Sequence, residues 1–82
     1  MLKIKDNIDL KELEKFGFYK VKIVGEPKYT EYHYDNLKIY GEKYPKISKY
    51  VFSRRIITNN LNDAEMSMLY KLIKEDLVEE VK

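Results

Sequence analysis

Residues 29–50 read YTEYHYDNLKIYGEKYPKISKY, a stretch that holds six of the chain's eight tyrosines, four lysines and its only histidine. Asp35 and Asn36 stand between two runs of alternating character, and both residue types tolerate the positive φ that a two-residue hairpin turn demands. The turn sets the register. Tyr34 then faces Leu37 and Tyr32 faces Ile39, so Thr30, Tyr32, Tyr34, Leu37 and Ile39 share one side of the hairpin as its core face. Glu31, His33, Lys38 and Tyr40 share the other, with Glu31 opposite Tyr40 and His33 opposite Lys38. Much of the tyrosine cluster is thereby assigned to packing, which leaves Tyr29, Tyr40, Tyr44 and Tyr50 as candidates for contact with a partner.

Before the hairpin, FYKVKIV alternates with a period of two, Tyr19, Val21 and Ile23 on one side and Lys20 and Lys22 on the other, which predicts a half-buried antiparallel strand. Gly25 and Pro27 are expected to end it. Upstream, IDLKELEKFGF carries signals for a short helix of about two turns. Asp9 is placed as N-cap with Glu12 completing a capping box, Ile8 as a staple onto Leu13, and Gly17 as the left-handed residue that ends the helix. Leu10, Leu13 and Phe16 form its buried side.

Downstream, GEKYPKIS reads as a turn around Pro45, followed by the β-branched and aromatic run KYVFSRRIITN. The parity of that run changes midway, and a bulge near Ser53 would reconcile its halves. NNLNDAEMSMLYKLIKEDL predicts a second helix capped by Asn62 with Glu65, its apolar stripe made of Leu61, Met68, Leu69, Leu72 and Ile73 and widened by Met66 and Tyr70. LVEEV returns to strand character and is a candidate to pair with LKIK at the N-terminus. The expected fold is one α+β domain over residues 1–82, a small antiparallel sheet of three to four strands with two helices packed on one face.

Eighty-two residues without a cysteine leave no disulfide, thiolate nucleophile or Cys-based metal site, so packing alone holds the fold. The N-terminus has no apolar run behind its lysines, and a cytoplasmic protein without a membrane span is expected. The net charge of +2 is unevenly spread. Residues 1–18 carry four Lys against four acids, residues 19–60 nine Lys/Arg against four, and residues 61–82 three against six. A solvated Lys face accounts for the basic middle first, and a nucleic-acid footprint second.

Catalytic constellations are missing from the pattern. His33 stands without a second His or Cys and reads as a surface residue, the glycines form no phosphate loop, and Glu79 and Glu80 point to opposite faces of a strand. The chain reads as a non-enzyme with no cofactor and no metal.

KDNIDLKELEKFGF at Lys5 to Phe18 and LYKLIKEDLVEEV at Leu69 to Val81 resemble a group of small proteins encoded by phages and prophages of low-GC Gram-positive bacteria. These pair an N-terminal DNVDLKELEKYGF run with a C-terminal LYxLIxxGLVExV run around a variable, strand-rich middle. The chain departs from that pattern at Asp76, where the group usually has Gly. The matching residues are those assigned to caps and core, so the shared part is scaffold and specificity is expected between Tyr19 and Asn60. The resemblance implies a phage or prophage accessory protein that binds a host or phage protein, of the kind that inhibits a host defence system such as a CRISPR nuclease. Its contact residues are expected to be Tyr29, Tyr40, Tyr44, Tyr50, Arg54 and Arg55.

The alternative is a small RNA- or DNA-binding regulator, with Lys38, Lys43, Lys46, Lys49, Arg54 and Arg55 on phosphates and Tyr29, Tyr40 or Tyr50 stacked on bases. Capture of a nucleotide by Arg54 or Arg55 has only residue type behind it. A symmetric homodimer that buries the Tyr29 and Tyr40 face is expected over a monomer.

Overall fold

A computed structural model describes residues 1–23, 26–41 and 54–81, with the side chains of residues 23–29 left aside. In chain order the elements are β1 (Leu2–Ile4), a 3-10 helix (Leu10–Phe16), β2 (Tyr19–Ile23), β3 (Glu26–Tyr34), β4 (Leu37–Tyr40), β5 (Ile56–Ile57), α1 (Asp63–Lys74) and β6 (Val78–Glu80). This is the small α+β fold expected from the sequence. One ladder runs β2-β3-β4-β5 and a second pairs β1 with β6, both antiparallel. A single bridge between Lys3 and Arg55, and a bond from the Ile4 N–H to the Arg54 carbonyl, tie the two ladders together.

The hairpin has the register that the Asp35–Asn36 turn predicts: Tyr34 opposes Leu37, Tyr32 opposes Ile39, His33 opposes Lys38 and Glu31 opposes Tyr40. Asp35 takes the positive φ, at 52°. Tyr32, Leu37 and Ile39 are buried against Ile56, Ile4, Leu10, Leu13, Phe18, Leu69, Leu72 and Leu77, so one face of the sheet and both helices share a single core. Burial, followed by the carboxylates of Glu14 and Asp9, raises the Tyr32 phenol above its ordinary range.

The first helix winds as 3-10 rather than α. At three residues per turn, Leu10, Leu13 and Phe16 fall in one line, which their spacing of three matches better than an α-helix would. The Asp9 carboxylate accepts from the Lys11 N–H, while Glu12 turns to Lys15 instead of completing a capping box. Gly17 adopts φ 101°, the Phe18 N–H reaches the Leu13 carbonyl at 3.2 Å, and the Gly17 N–H reaches that of Glu14 at 3.1 Å. Those two bonds make a Schellman motif.

Helix α1 ends in the same way with a different residue. The Leu77 N–H bonds the Leu72 carbonyl at 3.1 Å and the Asp76 N–H bonds that of Ile73 at 3.0 Å, with Asp76 at φ 64°. Asp76 thus occupies the left-handed position for which Gly has no steric penalty. In both motifs the bonded pair, Leu13 with Phe18 and Leu72 with Leu77, is buried, and a strand begins one residue later. Asp76 also takes a 2.6 Å ion pair from Lys5, but its carboxylate is largely exposed, and such pairs contribute little. Asp76→Gly should therefore raise the unfolding free energy by about 0.5 kcal/mol, read as a higher urea midpoint at unchanged slope. A lower midpoint would mean that the Lys5 pair outweighs the relief of the backbone.

β2 ends at Ile23, before Gly25 and Pro27, as expected, but Pro27 is not left outside the sheet: β3 begins at Glu26 and includes it. The β2–β3 register jumps between Lys22 and Ile23, so β3 has extra residues there, and a residue without an N–H is tolerated where the ladder is interrupted. Nor is the Tyr19 side of β2 the buried one. Tyr19 pairs with His33 and Lys20 with Tyr32, which puts Tyr19 and Val21 on the face away from the helices. Gly41, after β4, is buried and donates to the Thr30 carbonyl at 2.8 Å, and a Cβ there would collide with the Thr30 backbone. Among the described residues no helix is long and apolar enough to cross a membrane.

Candidate functional site

The face of the sheet turned away from both helices is organised as two rows of cross-strand neighbours. One runs Tyr19, His33, Lys38, Ile57 from β2 to β5. The other runs Val21, Glu31, Tyr40, Arg55, Lys3, Glu79, from β2 across to β6. Side chains in neighbouring positions of such rows stand close enough to interact.

At one end of this face His33 is paired, not the solvated surface residue expected from the sequence. Its Nε2 lies 2.8 Å from Glu31 Oε1, both side chains are only 16% exposed, and the Tyr19 ring meets the imidazole edge-on at 5.9 Å between centroids. Glu31 and His33 are two residues apart on one strand and so point the same way. Tyr19 itself remains 55% exposed. Toward the other end, Tyr40 and Arg55 border a groove of about 450 Å³ whose walls also include Met1, Ile57, Thr58 and Asn59.

Of the expected contact residues, Tyr40, Arg55 and Lys38 stand together on this face. Tyr29 belongs to the backbone of β3, and its side chain lies outside the described residues, as do Tyr44, Tyr50, Lys43, Lys46 and Lys49, whereas the bulge expected near Ser53 falls on the next residues, Arg54 and Arg55. Arg54 has a different task. Its Nη1 donates to the Lys5 carbonyl at 2.8 Å and the Ile8 carbonyl at 2.6 Å, holding the loop between β1 and the 3-10 helix. Its N–H donates to the Tyr40 carbonyl while the Tyr40 N–H donates to Arg55, so two residues oppose one in a bulge, with Arg54 at φ 64°.

The expected dimer face alternates apolar and charged groups, with Lys3 and Glu79 at 3.8 Å closing its far side. Besides Tyr19 and Met1, the large exposed apolar groups among the described residues lie on α1, where Met66, Tyr70 and Ile73 are 39%, 66% and 43% exposed. Of the stripe assigned to that helix, Leu69 and Leu72 are buried and Leu61 and Met68 pack partly buried against the core, but Ile73 and the widening residues Met66 and Tyr70 face solvent. Glu65, Leu69 and Leu72 are buried, and the positions one residue later face solvent. Two stripes with the same four-three spacing run side by side on α1, and residue spacing alone merged them into one broad apolar stripe.

Sequence reasoning also missed Tyr19 and the Glu31–His33 pair. The i, i+2 spacing of Glu31 and His33 was a usable signal, but bringing Tyr19 to them required the β2–β3 register, which breaks at Lys22. Comparison with protein families, curated proteins and solved structures finds no match for this chain, so its site rests on its own geometry.

Proposed function

We propose that this chain is a non-catalytic binding protein whose outer sheet face, from Tyr19 to Arg55, is its footprint for another protein. The observation that supports this reading most directly is Tyr19, 55% exposed and braced edge-on by the half-buried Glu31–His33 pair. A large aromatic held in one orientation loses little entropy on contact, which is what a binding anchor needs. Tyr40 beside the groove offers a second anchor, and Arg55 and Lys38 a polar rim. The resemblance of both ends of the chain to phage and prophage proteins makes a host or phage protein the proposed partner, and inhibition of a host defence system the proposed outcome.

Affinity capture from host lysate, compared between the native chain and a Tyr19→Ala/Tyr40→Ala variant, tests this. A specific protein should be retained by the native chain and fall to about a tenth or less on the variant, the size expected when aromatic anchors are truncated. Recovery of nothing above background, or equal recovery by both, would remove the reading. The proximity of Lys38 and Arg55 to Tyr40 supports the nucleic-acid alternative, against which Glu31 and Glu79 stand in the same row. Captured RNA or DNA whose binding weakens steeply with salt would favour that alternative instead.

A further inference from the structure

The exposed stripe of α1 carries an acid at one end, a base at the other and apolar side chains between them. At about 100° per residue, Asp63, Met66, Tyr70, Ile73 and Lys74 share one side of the helix. All five are exposed, in a stripe beside the one that buries Leu69 and Leu72. Among the described residues neither Asp63 nor Lys74 makes an ion pair within the chain, whereas the neighbouring Lys71 is turned back onto the Phe16 ring at 5.6 Å. The free charges of the stripe are therefore one of each sign, at opposite ends of a 12-residue helix.

We infer that this stripe pairs with the same stripe of a second copy of the chain, the two α1 helices running antiparallel across a two-fold axis. In that arrangement Asp63 of each copy stands against Lys74 of the other, and Met66, Tyr70 and Ile73 of both copies close on one another between the two ion pairs. A parallel arrangement would put Asp63 against Asp63 and Lys74 against Lys74, so the charges select the antiparallel one. The helix dipoles favour the same choice, each positive end beside a negative one. The contact is isologous and closes at two copies. With a helix about 18 Å long the interface is small, so the dimer is a weak one, half-formed at roughly 100 µM. This surface lies apart from the outer sheet face and leaves that face available.

Sedimentation velocity from about 10 µM to about 1 mM should show the native chain moving from monomer to dimer mass. Tyr70→Glu, at an exposed position, should weaken association at least ten-fold with unchanged circular dichroism. Asp63→Lys and Lys74→Glu should each prevent self-association by placing like charges together. Mixed, these two variants should form a heterodimer, because the two substituted positions then meet with opposite charges while the unchanged Lys74 of the first variant meets the unchanged Asp63 of the second. A native chain that stays monomeric throughout, a dimer indifferent to Tyr70→Glu (as one built on the sheet face would be), or a mixture that does not associate would each overturn the inference. Should a charge variant fail to fold, the concentration series and Tyr70→Glu still decide it.

Discussion

Glu65→Ala should lower the unfolding free energy by about 3 kcal/mol, far more than loss of a helix cap usually costs. Glu65 is wholly buried, and its carboxylate takes two backbone donors, one from the local cap and one 29 residues away in the chain. Oε1 accepts the Asn62 N–H at 2.8 Å and completes the capping box, whose other half is the Asn62 side chain accepting the Glu65 N–H at 2.9 Å. Oε2 accepts the N–H of Asn36 in the β3–β4 turn, so one side chain joins the hairpin to the start of α1. Hydrogen bonds to a charged acceptor contribute about 1.5–3 kcal/mol each, and truncation strands both donors and leaves a void. Asn62→Ala removes only the local half and should cost about 1 kcal/mol. Glu65→Gln keeps the shape and one acceptor and should fall between the two. Urea unfolding at constant slope reads all three. If Glu65→Ala and Asn62→Ala cost the same, the tertiary bond to the turn contributes nothing.

Arg54 should give the second largest effect, and its two simplest replacements should differ in a telling order. Arg54→Ala removes both bonds from Nη1 to the Lys5 and Ile8 carbonyls but keeps a Cβ at φ 64°, and should cost about 2.5 kcal/mol. Arg54→Gly removes the same bonds yet relieves the left-handed backbone by about 1 kcal/mol, so it should be the milder change. Hydrogen exchange should show the loss where Arg54 acts, at Ile4 and at the loop from Lys5 to Ile8, with the β3–β4 hairpin less affected. Arg54→Gly proving worse than Arg54→Ala would mean that the bulge carries no strain and that the guanidinium alone explains the residue.

Both residues look different in the sequence from what they are in the fold. Arg54 and Arg55 are neighbours of one type, and reading along the chain assigned them one role as contact residues. The bulge opposite Tyr40 separates them: Arg54 is turned onto the Lys5 and Ile8 carbonyls, and Arg55 stands on the outer face beside Tyr40. Glu65 was legible as a cap because capping follows from residues three apart. Its bond to Asn36, 29 residues away, was not.

The sequence by itself determined whatever depends on a few adjacent residues: the Asp35–Asn36 turn and the register it imposes, the caps at Asp9 and Asn62, the left-handed end at Gly17, and the period that makes each strand or helix. Such features are governed by steric and hydrogen-bonding rules within a span of about six residues, which any reader of the chain can apply. Tertiary structure alone decided that Met66, Tyr70 and Ile73 of α1 stay outside the core, which side of β2 faces the helices, and which arginine is internal. In each case two local solutions of similar energy exist. The choice falls to contacts between residues far apart in the chain, such as Glu65 with Asn36, Tyr19 with His33 and Arg54 with Lys5, whose energies no local pattern encodes.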